Sequence, residues 1–140
     1  MYFVESGCVR CYISDGGTEN TIRFGYQDNF IVVLDSFMTK EPTRFYIEAL
    51  KKTSLKKISR EQFNELQDKY PELKEFYLNT LEQLLVDQLE IETDILCASP
   101  QARYDRVLKR SPQLFQEVPS KYIATYLRMT PETLSRLKKS

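Results

Sequence analysis

Glu132 and Arg136 stand four residues apart near the end of the chain, with Ser135 between them and Lys139 beyond. On a helix that spacing places Glu132 and Arg136 on one face. Arg can grip guanine O6 and N7 with two hydrogen bonds, and Glu can accept one from a cytosine amino group. Leu134 and Leu137 take the inward positions, which leaves Glu132, Thr133, Ser135, Arg136 and Lys139 for the other faces. Thr130 and the backbone N–H groups at the helix start suit a phosphate. Lys121, Lys138 and Lys139 add phosphate contacts blind to sequence, and Ser120 and Pro131 complete the candidate surface. Small helical hairpins that dock protein share this pattern, so on residues alone both readings stand.

Other chemistries find little support. The chain of 140 residues contains no histidine, the commonest general base and transition-metal ligand. No phosphate-cradling glycine loop or hydrolase motif occurs, so no residue is put forward as catalytic and no cofactor is expected. Cys8 and Cys11 look like half a metal site, but residues three apart on a strand point to opposite faces. Cys97 is remote and no second pair completes a tetrahedron, so packing is the expected role and no metal is assigned. Glu90 with Glu92, and Asp87 with Glu90, read as a solvated helix flank.

Charge divides the chain. Residues 101–140 carry nine Lys or Arg against three Asp or Glu, a net of +6, and the first hundred residues carry −6. A basic end on an acidic body is the footprint of a nucleic-acid reader, although a solvated tail gives the same count. No apolar run approaches the ~20 residues that span a bilayer. No secretory leader is visible, so no membrane partner is expected and the cytoplasm is the expected compartment.

The elements that must position these residues fall into three parts, 1–70, 71–97 and 98–140. The first alternates and is rich in β-formers: residues 2–4, 8–13, 21–24, 30–34, 45–50 and 55–58 read as short strands of an antiparallel roll. Asp15-Gly16-Gly17 signals a tight hairpin. Ser59-Arg60-Glu61-Gln62 is a capping box opening a helix that carries Phe63 and Leu66. Pro71 suits the first turn of a second helix that runs to about Leu96, roughly 39 Å long at ~1.5 Å per residue. Along it, Tyr77, Leu81, Leu84, Gln88, Ile91 and Ile95 form a heptad seam, and Leu78, Leu85, Leu89 and Leu96 form a second apolar line. Two lines need two partners: one the roll, the other the same helix of a second subunit along the heptad seam. Prolines at 100 and 112 restart short helices. Pro119 to Ser140 reads as two helices about a brief turn, the second capped by Thr130. The fold class is α+β.

In this order the parts resemble the Crp–Fnr family of bacterial transcription regulators, in particular the short, glycine-poor members typical of Bacteroidetes. YFVESGCVRCY resembles the family's middle roll strands with their Gly-x-Val-Arg pattern, the helix to Leu96 its dimer helix, and VPSKYIATYLRMTPETLSR its helix-turn-helix. The resemblance implies a partial cyclic-nucleotide-binding-like roll, a dimerisation helix and a winged-type DNA-binding unit. The implied partners are double-stranded DNA, a second copy, a small-molecule effector and RNA polymerase. Glu132 and Arg136 take the family's base-reading positions, with Ser135 beside them. Thr130 and Thr133 fall where family members touch phosphate. Pro131 replaces a base-reading Arg, which implies a different operator, and Arg128 replaces the turn glycine, which implies a differently shaped turn.

The effector cassette departs further. Val32 and Val33 stand where Gly and Glu are expected, and Arg44, the candidate effector contact, is followed by Phe45 instead of Ser-Ala. Valine accepts no hydrogen bond from a ribose, so cyclic AMP is not the expected ligand. Family members carry some tens of residues before the strand that begins at Tyr2. The sequence therefore reads as shortened at its start, with an unpaired apolar edge expected there. The alternative to a DNA reader is a degenerate paralogue that serves as a protein-interaction module or as a sensor without DNA output.

Overall fold

The computed structural model describes residues 1–139. Six strands precede most of the helices: β1 (Tyr2–Ser6), β2 (Cys8–Asp15), β3 (Thr18–Tyr26), β4 (Phe30–Ile31), then the short helix α1 (Leu34–Thr39), β5 (Phe45–Ala49) and β6 (Ser54–Lys57). They form two antiparallel three-stranded sheets, ordered β4-β1-β6 and β3-β2-β5. Gly16 and Gly17 supply the hairpin between β2 and β3, both with positive φ (56° and 84°), the conformation a two-residue turn needs. Asp15 then pairs with Thr18 and the ladder runs back to Cys8 opposite Tyr26, broken by one bulge beside Cys11.

Two expectations change here. β1 is not an edge: β4 and β6 flank it on either side. The open edges of this sheet are the two-residue β4 and β6, whose Lys56 and Lys57 discourage further pairing. The strand expected at 30–34 stops at Ile31, and α1 follows. The run Phe-Ile-Val-Val-Leu cannot by itself distinguish a strand from a buried helix start, and packing decides for helix as Phe37 is buried against Met1 and Phe63.

The helices follow the caps. Ser59 and Gln62 make the reciprocal capping box of α2 (Arg60–Lys69). Then come α3 (Glu72–Leu96), α4 (Pro100–Arg110), α5 (Pro112–Glu117), α6 (Ser120–Tyr126) and α7 (Pro131–Leu137). Between residues 98 and 139 the described residues form helices and turns, with no strand pair among them. Pro112, Pro119 and Pro131 each stand at or next to a helix start and carry no N–H for a ladder. Ser140, the last residue of the expected unit, lies outside the described residues.

The main core joins the two ends of the chain. Val107, Leu114, Val118, Ile123, Ala124, Leu127 and Leu134 bury together with Cys8 of β2. Arg10 of β2 is buried too, its guanidinium 4.1 Å from the Tyr12 ring and 4.2 Å from that of Tyr122 in α6, with Glu19 and Glu48 neutralising it. Thr21 of β3 hydrogen-bonds Thr125 of α6 at 2.8 Å. The roll and the carboxyl-terminal helices are thus packed directly against each other.

Along α3 the two apolar lines take different surroundings. Tyr77 packs on Phe63 at 5.1 Å, and Leu81, Leu84 and Ile91 are half-buried against the chain's own body, whereas Gln88 and Ile95 are exposed. Leu78, Leu85, Leu89 and Leu96 are 56%, 66%, 63% and 77% exposed. Of the heptad seam, Tyr77 is covered by Phe63 of α2 while Leu84 and Ile91 border a cleft between α3 and the roll, and the second line is the more exposed of the two.

Candidate nucleic-acid interface

α7 is fixed by one fully buried residue, Leu134, with Leu137 half-buried beside it. At ~100° per residue, Glu132 lies about 160° round the helix from Leu134, and Ser135, Arg136 and Lys139 share its side. All four are exposed, as are Ser120, Lys121, Thr130 and Pro131, while Thr133 is half-buried. The structure thus brings these positions to one side of a helix pair.

Each polar group has local work. Thr130 Oγ1 accepts from the Thr133 backbone N–H at 3.2 Å, the N-cap read from the sequence. Glu132 is held below the usual carboxylate range by its own backbone N–H, then by the Thr130 hydroxyl. It is therefore ionised at neutral pH and accepts hydrogen bonds only. Arg136 Nη2 reaches Thr133 Oγ1 at 3.5 Å. Lys138 turns back to donate to Ser120 Oγ at 2.7 Å, tying the end of α7 to the start of α6. Lys121 Nζ lies 4.5 Å above the Tyr122 ring.

The turn between α6 and α7 is closed by residues whose role the sequence did not disclose. Arg128 adopts φ 53°, the left-handed conformation usually given to glycine, so its arrival does not reshape the turn. Its side chain offsets the strain by donating to Asn20 Oδ1 at 2.8 Å and Thr125 O at 3.3 Å. Arg103 of α4 donates to the carbonyls of Leu127 at 3.0 Å and Cys97 at 2.6 Å. These carbonyls end α6 and α3, so one guanidinium caps two helices.

The basic excess of residues 101–140 is partly spent inside the molecule. Arg106 Nε pairs with Asp94 Oδ1 at 2.9 Å, Arg110 pairs with the other Asp94 oxygen, and both reach Glu90. Lys51 pairs with Glu117. Glu90 and Asp94 facing Arg106 and Arg110, each pair four apart, was the available signal, because helices packed side by side match such spacings. Glu90 thus belongs to this cluster and not to a purely solvated flank.

The remaining candidates are placed as follows. Arg44 is exposed, its guanidinium 5.8 Å from the Phe45 ring. Val33 caps α1 with no side-chain hydrogen bond, and Val32 packs on the cluster of Met1, Phe37 and Phe63. Burial pushes the Cys8 thiol up to about 11, which keeps it a packing group. Among the described residues no group of three or more Cys, Asp or Glu is arranged to hold a metal ion. No described helix is long and apolar enough to cross a membrane.

Comparison with known proteins bears on this arrangement. The cyclic nucleotide-binding domain family matches residues 1–70. No curated protein matches the chain. Among solved structures, FixK2 from Bradyrhizobium japonicum superposes with a TM-score of 0.80 at 17% identity, over 99% of this chain and 72% of its own. A CooA mutant from Carboxydothermus hydrogenoformans gives 0.77 at 20% identity, over 99% and 65%. A CRP-family transcriptional regulator from Thermus thermophilus gives 0.68 at 14% identity, over 99% and 72%. The chain therefore spans about two thirds of the length of these proteins, and the likeness runs through the roll, the long helix and the helices beyond it. Half of the chain matched by one family and nearly all of it superposed on one fold lead to the same conclusion: this protein belongs to the cyclic nucleotide-binding domain family and has the α+β fold of the Crp/Fnr transcription regulators.

Proposed function

We propose that the chain is a DNA-binding transcription regulator that works as a homodimer, with residues 1–70 as sensor roll, 71–97 as dimer helix and 98–140 as helix-turn-helix unit. The observation that carries this reading is the exposed side of α7, where Glu132, Ser135, Arg136 and Lys139 stand clear of the core that Leu134 enters. In the proposed mechanism α7 enters a major groove, Arg136 takes guanine and Glu132 takes a cytosine amino group. Lys121 and Lys139 meet phosphates and fix the register. Two such helices on a two-fold axis read half-sites about one helical turn (~34 Å) apart.

The second subunit is placed on the open line Leu78, Leu85, Leu89 and Leu96, with Gln88 and Ile95 at its border. This differs from an interface centred on Tyr77, Leu81, Leu84 and Ile91, which the body half-covers. The roll is proposed not to hold cyclic AMP, because the Val33 side chain accepts no hydrogen bond from a ribose.

The test is fluorescence anisotropy with labelled duplexes. Wild type is expected to prefer particular sequences and to weaken steeply with added salt. Arg136→Ala is expected to lose discrimination at one base pair by about 1–3 kcal/mol. If wild type and Arg136→Ala bind every duplex alike, the helix pair serves another partner and the proposal fails.

A further inference from the structure

The sheet ordered β3-β2-β5 ends on an edge that nothing in the DNA-reading proposal uses. β5 pairs with β2 alone, and among the described residues no strand lies on its other side. The opposite edge, β3, is tied to α6 and its turn through Thr21–Thr125, Phe24–Tyr126 and Asn20–Arg128. In the other sheet β4 is too short to extend a ladder and β6 carries its two lysines. β5 contains neither lysine nor proline, and Phe45, Tyr46 and Ile47 are strand-favouring residues.

The backbone groups at this edge follow from the ladder. Leu50 N–H donates to the Cys8 carbonyl at 2.9 Å, so Tyr46 and Glu48 also turn their backbone groups towards β2. Phe45, Ile47 and Ala49 turn theirs to the open side. Phe45 N–H is accepted there by Thr43 Oγ1 at 3.1 Å, which leaves the Ile47 and Ala49 N–H groups and the carbonyls for a partner. Tyr46 is 54% exposed and stacks on Tyr12 at 5.3 Å. Arg44 stands two positions before it and Glu48 two after, the spacing that keeps to one face of a strand. Arg44 is exposed, and no hydrogen bond or ion pair joins it to another described residue. Glu48 uses one carboxylate oxygen for Arg10 Nε and stays 42% exposed.

We propose that this edge pairs with the same edge of a second copy, antiparallel and centred on Tyr46, so that Arg44 of each chain faces Glu48 of the other. Charge selects the register. Opposite residues must share a face, so a two-fold axis through the sheet can pass through Tyr46, Ile47 or Glu48. Centred on Glu48, the pairing would set two carboxylates together; centred on Ile47, it would put Arg44 opposite Leu50. Centred on Tyr46, it gives an Arg–Glu pair at either end and a tyrosine pair between them, the contacts that fix register in a sheet. Ile47 N–H then donates to the carbonyl of the partner's Phe45. A ladder over the 5 residues of β5 buries far less than a standard interface, so the contact is weak. It leaves Leu85→Glu chains monomeric in dilute solution, and it lets dimers built on α3 join side by side through a different surface. The pairing requires nothing of α7 and stands whether or not the chain reads DNA.

The test is disulfide capture read on non-reducing gels, in the full chain carrying Cys97→Ser because Cys97 directly follows α3. Opposite residues at a non-hydrogen-bonded position of an antiparallel pair lie about 4.5 Å apart at Cα, within reach of a disulfide. Tyr46→Cys is therefore expected to give covalent dimer in a glutathione redox buffer. Ala49 is also exposed, but in this register it faces Thr43 of the other chain. Two cysteines at position 49 would stand roughly 20 Å apart, so Ala49→Cys should give no dimer. Adding Arg44→Glu to Tyr46→Cys should slow capture roughly threefold or more, an effect that salt diminishes. Melting curves show that each variant folds, as expected for exposed positions. No covalent dimer from Tyr46→Cys, equal capture through Ala49→Cys, or a rate unaltered by Arg44→Glu overturns the pairing and leaves the edge to a strand of another protein.

Discussion

Single residues in this chain show how far a local rule reaches. Arg128 takes a left-handed φ at a cost of something like ~1 kcal/mol, and the hydrogen bond to Asn20 across the domain boundary offsets it. The sequence showed the missing glycine but not the distant asparagine, which lies 108 residues away. Arg10 was equally opaque: a strand arginine next to valine gives no hint of two tyrosines and two glutamates around it. By contrast the Thr130 cap and the Ser59–Gln62 box were legible, because caps act within four residues. Glu61 supplies the prediction at this scale. A side-chain hydrogen bond from Lys40, then its own backbone N–H, depress its carboxyl to about 2. A depressed carboxyl stabilises the fold above its free value near 4.5, and the contribution is lost as pH falls through about 2. Melting temperature should therefore fall less between pH 5 and pH 2 in Glu61→Gln than in wild type, and the difference should shrink in high salt because the pair is exposed.

Elements were read better than their surroundings. The long helix, its restart at Pro100 and the tight Gly16-Gly17 hairpin follow from proline, glycine and caps, which need no tertiary knowledge. What the heptad pattern could not settle was direction. Two apolar lines on one helix are equivalent in sequence, and only Phe63 and β4 on one side decide that Leu78, Leu85, Leu89 and Leu96 face out. Two expectations follow. Leu85→Glu should shift the oligomeric state to monomer in analytical ultracentrifugation while leaving the fold intact, since that side chain is exposed in the chain itself. Leu81→Glu should instead lower the melting temperature, because its helix face meets the body. The junction of α3 and α4 rests on Asp94, which is buried between two arginines. Asp94→Asn removes the charge both arginines use, and about 2 kcal/mol of stability should be lost on thermal unfolding, the arginines' partial exposure limiting the effect.

At the scale of the whole molecule, the division of charge was visible in the sequence but its use was not. Of the nine basic residues in the last forty, Arg103, Arg106, Arg110 and Arg128 are engaged in holding the helices to each other and to the roll. Lys121, Arg136 and Lys139 remain on the surface beside Glu132 and Ser135. The surface offered to a nucleic acid is thus smaller than the net charge suggested, and more sharply localised on α7. The direct packing of the roll on α6 through Tyr122 and Thr125 had no counterpart in any local pattern, since it joins residues more than a hundred positions apart. That packing puts the roll and α6 in direct contact, with no linker between them.

Selection of bound duplexes from a random DNA pool, run in parallel with wild type and Arg136→Ala, tests the regulator reading most directly. The expected result is a two-fold symmetric motif with half-sites about one helical turn (~34 Å) apart, in which Arg136→Ala erases the preference at one guanine per half-site. A pool that returns no enriched sequence, or a motif that survives Arg136→Ala unaltered, would contradict it.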